Sequence, residues 1–350
     1  MLKEIIEETL ISPLSKRENL DSIRKKGMYE VWFTMVYDRK TGTAYWLRVT
    51  VLIPKKSDKN PKKEQVLLWI GRFSPKEPSK NGMVKRSFDL NEFSFGRKEQ
   101  IVSFSGGSMG ISYSRIKFIL TDGSLFGWDL RYSGFKEPYH HVPTIAKMLG
   151  VITTIPITSH PNIQITGSLT FNGETLNLED AVGTQTHIIG KKYGNEWAWV
   201  HCNCFKEYED AFLEVSCTAG RCTFGFHDGL NAFMFNTPFE IIRTKANYNH
   251  TNLEFSGETS RFLIKGKVEV PMKDLIAIEY LGPRSERILC YNSELADCTV
   301  EVYDKESKDG KEKPIFKAQS KKGCAFETTH FKPIENGPTV LKWEEEKLKK

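Results

Sequence analysis

Residues 183–205 read GTQTHIIGKKYGNEWAWVHCNCF. Two runs rich in β-branched and aromatic residues flank a KKYGN turn signal, so the stretch predicts a pair of strands joined as a hairpin. Strand alternation then sorts the second run. Trp197, Trp199, His201, Asn203 and Phe205 fall on one face, and Ala198, Val200, Cys202 and Cys204 on the other. Once buried, two indoles, an imidazole and an amide need partners for their polar tips, which fits the wall of a lined cavity. An ordinary sandwich core with a few satisfied polar groups is the alternative. Gln185, His187, His201 and Asn203 share the predicted hairpin and could either orient a polar head group or simply tie strands together.

The same texture extends in both directions. On the N-terminal side, VWFTMVYD (31–38) and TAYWLRVTVLIP (43–54) flank RKTG as a strong hairpin. Short strand-like runs follow through SLFGWDLRYS (124–133), punctuated by Asn-Gly, Gly-Gly and Asp-Gly pairs. Residues 134–160 break the rhythm with Pro138, Pro143 and Pro156, followed at once by Pro161; with Ile145, Met148, Leu149 and Val151 as filling they predict a crossover packed between domains. Strands resume with IQITGSLTFNGETLNLED (163–180) and continue to CAFETTHF (324–331). The chain has 350 residues, too many for one ordinary core. The expectation is an all-β protein of two tandem antiparallel β-barrel domains. An N-terminal helical or extended segment covers 1–28, the first barrel with its proline-rich crossover 29–160, the second barrel 161–335 and a charged tail 336–350. Barrels of this kind hold a small ligand in their mouths.

Bulk composition narrows the function. Hydrophobic residues make up 39%, aromatics 12% and charged residues 27%, with a formal net charge of +6. The lysines cluster in loop-like segments such as 55–63 and the terminal EEEKLKK, which reads as a solvated surface, with no nucleic-acid partner expected. No run approaches the ~18 apolar residues of a membrane span, and MLKEIIEETL carries acids where a signal peptide has a basic region. Seven cysteines, all in the second half, fit free thiols in a reducing cytoplasm.

Period two turns His201 away from Cys202 and Cys204, and Cys-x-Cys with Cys-x4-Cys at Cys217 and Cys222 matches no usual zinc spacing, so no metal is expected. SGGSMG (105–110) sits between strands and does not open a helix, which removes the phosphate-cradle reading and with it any nucleotide cofactor. Ionisable groups inside strand patterns remain. Asp129 lies between Trp128 and Leu130, Glu254 between Leu253 and Phe255, and Glu279 follows Ile278. His227 and Asp228 stand together before Gly229. A carboxyl held in an apolar, aromatic-lined barrel stays protonated near neutral pH, as alkene-protonating hydratases and cyclases require. Solvent-facing strand positions are the plain alternative for each acid.

Four blocks carry a family resemblance. The string at 183–205 is similar to the second-domain signature of the lipocalin-like hydratase and cyclase superfamily, which includes carotenoid hydratases, tocopherol cyclases, fungal cyclases and yeast survival-factor proteins. TAYWLRVTVLIP (43–54), NIQITGSLTFNGE (162–174) and ILCYNSELAD (288–297) resemble further strands of that family in the same order. The resemblance implies two lipocalin-like (calycin) barrels with a hydrophobic isoprenoid or lipid-like molecule bound in or between them. Cofactor-independent acid-catalysed hydration or cyclisation would follow, with Asp129, Glu254 or Glu279 as acid and Trp197, Trp199, His187, His201 and Asn203 around the ligand. A carrier or chaperone of the same ligand is the second expectation, and contact with a membrane surface stays open. Collapsed barrels serving only as a scaffold are a third.

Overall fold

A computed structural model describes residues 2–56, 63–98, 100–143, 152–193, 196–307 and 313–348. The expected filling residues Ile145, Met148, Leu149 and Val151 lie outside these residues, as do 194–195 of the KKYGN turn.

Among the described residues the chain is all-β beyond two N-terminal helices, a one-turn helix and a few 3-10 turns. Helices α1 (Leu2–Leu10) and α2 (Leu20–Lys26) precede the first sheet. That sheet contains β1 (Met28–Asp38), β2 (Thr43–Ile53), β3 (Gln65–Phe73), β4 (Gly82–Asp89), β5 (Ser94–Phe95), β6 (Val102–Phe104), β7 (Gly107–Met109), β8 (Tyr113–Ile119), β9 (Leu125–Ser133), β10 (Tyr139–His140), β11 (Thr154–Phe171) and β12 (Glu174–Gly190). Its ladder runs β4-β3-β2-β1-β12-β11-β9-β8-β7-β6-β5, with β10 also on β11. The two end strands are consecutive in the chain, joined by a capping box between Asp89 and Glu92, so the sheet curls into a nearly closed barrel.

The second sheet contains β13 (Ala198–Cys202), β14 (Phe212–Thr218), β15 (Arg221–His227), β16 (Ala232–Phe235), β17 (Thr244–Tyr248), β18 (Asn252–Glu258), β19 (Phe262–Glu269), β20 (Ile276–Leu281), β21 (Arg287–Asp304), β22 (Phe316–His330) and β23 (Val340–Leu341). Its ladder runs β16-β15-β14-β13-β22-β21-β19-β18-β17, with β20 pairing β21 and β23. Helix α3 (Pro238–Ile241) joins the two end strands, and the Cys222 amide donates across the seam to Thr244 Oγ1 at 3.1 Å. Among the described residues no helix is long and apolar enough to cross a membrane.

Two expectations change here. The runs at 183–190 and 198–205 do not form a hairpin. β12 pairs with β1 and β11, whereas β13 pairs with β14 and β22, so this stretch is where the chain passes from one sheet to the other. The sheets also do not change at 160/161. β11 runs through that point, pairing with β9 and β12, and the change falls between Gly190 and Ala198. Its prolines are tolerated for local reasons. Pro161 sits in the register shift between His160 and Ile163, where the ladder is already interrupted. Pro156 lies just beyond the short β10 pairing, where its missing N–H costs no ladder bond on that side.

Three cores result. The first fills the first barrel with Trp32, Leu47, Ile70, Trp128 and Ile165, and Ile6 and Leu10 of α1 pack into it. The spacing of Ile5, Ile6 and Leu10 predicts that helix, and Ile6 and Leu10 form its buried stripe. Trp32 Nε1 donates to the Leu10 carbonyl at 2.9 Å, tying the helix to the sheet. The second core fills the second barrel with Val200, Phe224, Phe226, Leu253 and Phe326. The third lies between the barrels, where Phe33, Trp46 and Trp69 meet Ile278, Tyr280 and Ile288. All eleven residues of β2 are buried for this reason: one face meets the barrel interior and the other meets the opposite sheet.

Candidate functional site

The outward positions of β1, β2, β13 and β22 carry aromatic and polar side chains, so where the two sheets diverge they leave a cavity of about 470 Å3. Its wall is aromatic. Tyr29 stacks on Tyr193 at 4.3 Å, Tyr193 stacks on Trp197 at 5.8 Å and on Tyr280 at 6.0 Å, and Phe33 meets Trp199 edge-on at 5.0 Å. Tyr193 belongs to the crossover segment itself and is fixed by its amide, which donates to Glu286 Oε1 at 2.8 Å. Burial pushes the Tyr193 phenol up to about 12 and the Tyr29 and Tyr280 phenols well above their ordinary value, so all three stay neutral.

A close approach makes room for this wall. Gly190 is the register partner of Tyr29, and a Cβ there would stand 2.2 Å from the Tyr29 ring. Gly190→Ala is expected to lower stability by about 1–3 kcal/mol through overpacking. Thermal unfolding checks it, and an unchanged Tm would mean that the ring moves aside freely.

One pole of the cavity is polar. Arg48, almost fully buried on β2, donates from Nε to Thr50 Oγ1 at 2.8 Å, and its guanidinium lies 4.2 Å from the centre of the Tyr280 ring. Burial works against the Arg48 charge, but the acidic groups around it, Glu327 among them, outweigh it and hold the group above its ordinary value. Glu327, on β22, accepts from Trp197 Nε1 at 3.0 Å and from the Tyr280 hydroxyl at 3.3 Å. The pole therefore offers a cationic donor and a carboxyl acceptor, both set against Tyr280.

Behind Trp199 lies a buried network that crosses between the sheets. Glu214 accepts from Trp199 Nε1 at 2.7 Å and from the Thr158 hydroxyl at 2.9 Å, and meets His201 Nδ1 at 2.7 Å and His141 Nε2 at 3.1 Å. Burial alone would raise this carboxyl, but the hydrogen bonds and charges of the two histidines outweigh it and hold Glu214 at about 2. A second acid behaves in the opposite way. Glu294 is fully buried on β21, where among the described residues only a weak contact with the Asn292 side chain favours its charged form. Burial, with the Glu327 charge adding to it, pushes Glu294 well above the usual carboxylate range.

The expected site residues divide. Trp197 and Trp199 lie on the cavity wall, half-buried. His201 and Asn203 share their face but sit beneath it: His201 serves Glu214, and Asn203 Nδ2 donates to the Gly183 carbonyl at 2.9 Å, joining the sheets. Phe205, past the end of β13, turns into the second barrel's core. Gln185 and His187 are not part of this cavity. His187 stacks on Trp32 in the first barrel, with Nδ1 2.7 Å from the Thr9 carbonyl and Nε2 2.8 Å from Glu30 Oε1. Gln185 is buried on the same side of β12, opposite Thr34 in register, and Thr186 and Ile188 face the cavity instead.

None of the three expected acids lines the cavity. Asp129 is 46% exposed and ion-paired with Arg115 at 2.8 Å. Glu254 faces solvent beside Lys267 in a shallow depression of about 570 Å3. Glu279 is bound by Arg287 at 2.5 Å and by the Trp343 amide at 3.0 Å. The His227 ring accepts from the Gly229 amide at 3.0 Å, and Asp228 caps its own turn at Leu230 and Asn231. A wider groove of about 1090 Å3 opens at the end of the first barrel, but its rim is exposed lysine, including Lys40, Lys76 and Lys80. Sequence reasoning did not single out Arg48, His141, Tyr193, Glu214, Glu294 or Glu327. Arg48 had one signal, a lone charge inside a strand otherwise apolar on both faces.

No family model matches the chain, and no curated protein matches it significantly. Solved structures do. Kievitone hydratase from Nectria haematococca aligns over 87% of this chain and 89% of its own, at 10% identity and a TM-score of 0.48. A protein provisionally described as AttH from Nitrosomonas europaea aligns over 87% and 92%, at 10% identity and a TM-score of 0.45. CghA with Sch210972 aligns over 87% and 88%, at 9% identity and a TM-score of 0.44. A hydratase stands among the structures this chain is similar to. Likeness at this level describes chain path and says nothing of chemistry.

Proposed function

We propose that the protein binds one hydrophobic, isoprenoid- or lipid-like molecule carrying a hydroxyl group in the cavity between its sheets, as a carrier. The observation that supports this is the pairing of an aromatic wall with a polar pole at Arg48 and Glu327. Aromatic faces favour an unsaturated or ring-bearing body. At the pole, Arg48 donates and Glu327 accepts, a combination matched by a group that does both, such as an alcohol or phenol. Glu327 already takes hydrogen bonds from Trp197 and Tyr280, which favours holding a ligand over protonating it.

Mass spectrometry of compounds that co-purify with the full chain tests this reading. One hydrophobic species should be enriched over a control protein purified in parallel. Trp199→Ala should reduce its retention about tenfold or more, the consequence of losing an indole's buried contact. No enriched species, or full retention by the variant, would overturn the reading.

Glu294 favours a second reading. A buried carboxyl that keeps its proton is a proton source for acid-catalysed hydration or cyclisation of an unsaturated bond; Glu294 does not line the cavity, so in this reading its proton passes to the ligand through Glu327, which does. In that reading the bound compound gains one water, or keeps its mass and changes its chromatographic retention, with solvent deuterium incorporated. The carrier returns it unchanged.

A further inference from the structure

We propose that Cys202, Cys298 and Cys324 form a binding site for a single thiophilic divalent d10 cation of the zinc type, inside the second barrel and away from the ligand cavity. The three thiols come from three adjacent strands. Cys202 of β13 is the register partner of Cys324 of β22, and β21 brings Cys298 alongside. Their sulfur atoms all lie within 4.8 Å of one another, and the three residues are essentially inaccessible to solvent.

An irregularity in the sheet makes this grouping. From Ala296 to Cys298, β21 advances two residues, while its partners on β22 run from Cys324 to Ser320, four residues. The surplus forms a bulge at Lys321, Lys322 and Gly323. Lys322 takes the left-handed conformation at φ 56°, held by its amide donating to Asp297 Oδ1 at 2.9 Å. Gly323 is required by crowding: a Cβ there would stand 2.9 Å from Ser320 Oγ and 3.0 Å from the Cys204 Cβ. Bulges re-aim side chains, and a residue held in a sparsely populated conformation needs surroundings that over-determine it.

Ser320 is a second, independent pointer. It is 3% exposed, opposite Cys298 in register, and among the described residues its hydroxyl has no oxygen or nitrogen partner and faces only the Cys202 sulfur. A buried hydroxyl without a partner is costly unless something else binds it. In a tetrahedral site with zinc–sulfur bonds of about 2.3 Å, sulfurs stand roughly 3.8 Å apart, so the thiols close on an ion by moving less than about 1 Å. Ser320 Oγ then serves as fourth ligand or donates to a thiolate. Three thiols and one M2+ give M(S-Cys)3 with one negative charge and three released protons. The ligands are far apart in sequence. Reading Cys202 with Cys204, Cys217 and Cys222 therefore finds no metal spacing; Cys217 and Cys222 instead face each other across β14 and β15.

Cadmium is the probe. The full chain, reduced and stripped of metal, receives Cd2+ both when folded and during refolding. The expected result is one ion per chain, a sulfur-to-cadmium charge-transfer band in the ultraviolet and a raised Tm. Cys298→Ser and Cys324→Ser should each weaken binding at least tenfold, while Cys217→Ser leaves it unchanged. X-ray absorption on the wild-type complex should count about three sulfur ligands, a readout that needs no variant to fold. The proposal is overturned if neither route gives stoichiometric binding, if the band survives Cys298→Ser, or if fewer than three sulfurs are counted; the thiols are then ordinary core atoms.

Discussion

Glu214→Gln is expected to destabilise the protein by about 3–5 kcal/mol at neutral pH, the usual cost of removing one partner from a buried charged network. Four donors converge on this carboxylate, from both sheets, and an amide can neither accept from all of them nor supply the charge. The effect also has a pH signature. The Glu214 carboxyl is held at about 2, below the ordinary value of 4.5, so its contribution is complete above about pH 4.5 and is lost as pH falls toward 2. That interval corresponds to roughly 3 kcal/mol. Denaturant unfolding at pH 7, 4 and 3 checks both points. The gap between wild type and variant should narrow with acidity, and a variant within about 1 kcal/mol of wild type at pH 7 would mean that the histidines find other partners.

Glu294→Gln should do the reverse. Glu294 is raised by burial, so in the folded protein it keeps its proton at pH values where the unfolded chain has lost it. Stability contributed by that proton is complete below the unfolded value of about 4.5 and declines as pH rises from there toward the folded value. A neutral isostere escapes the decline. Tm should therefore rise by roughly 2–4 °C at pH 8 and hardly change at pH 4, the rise being what about 1 kcal/mol gives in a domain of this size. An equal shift at both pH values would remove the buried-acid argument. The same variant separates the two functional readings. A carrier gains stability and keeps its ligand, whereas an acid catalyst gains stability and loses turnover, the trade seen when a strained active-site group is neutralised.

Much of the architecture was legible because strand signals are local. TAYWLRVTVLIP, SLFGWDLRYS and ILCYNSELAD become β2, β9 and the first part of β21 almost residue for residue. Local alternation also put Trp197, Trp199, His201 and Asn203 on one face, as found. The hairpin expectation at 183–205 went astray because a turn-like KKYGN looks the same whether the next strand folds back or enters another sheet. What decides is which distant strand supplies the ladder partner, and β1 and β22 lie far away in sequence.

The expected acids illustrate a second limit, this time one the sequence could have avoided. Asp129 lies between Trp128 and Leu130, both inside the first barrel, so period two sends Asp129 outward. Apolar neighbours at i−1 and i+1 are evidence for exposure in a strand. Glu214 and Glu327 obey the same rule, since Leu213, Val215 and Phe326 fill the second barrel. They are sheltered only because the outside of that barrel faces the other sheet, a fact that no local pattern contains.

That arrangement has a consequence for how the protein can change over time. The cavity is walled by two sheets and by Tyr193 on the segment between them, so its size follows from how one sheet seats on the other. Substitutions at the joint can reshape it while both barrel interiors stay intact. The shape of the cavity and preservation of the fold are thus assigned to different sets of residues, which leaves this chain path free to vary the one without first relearning the other.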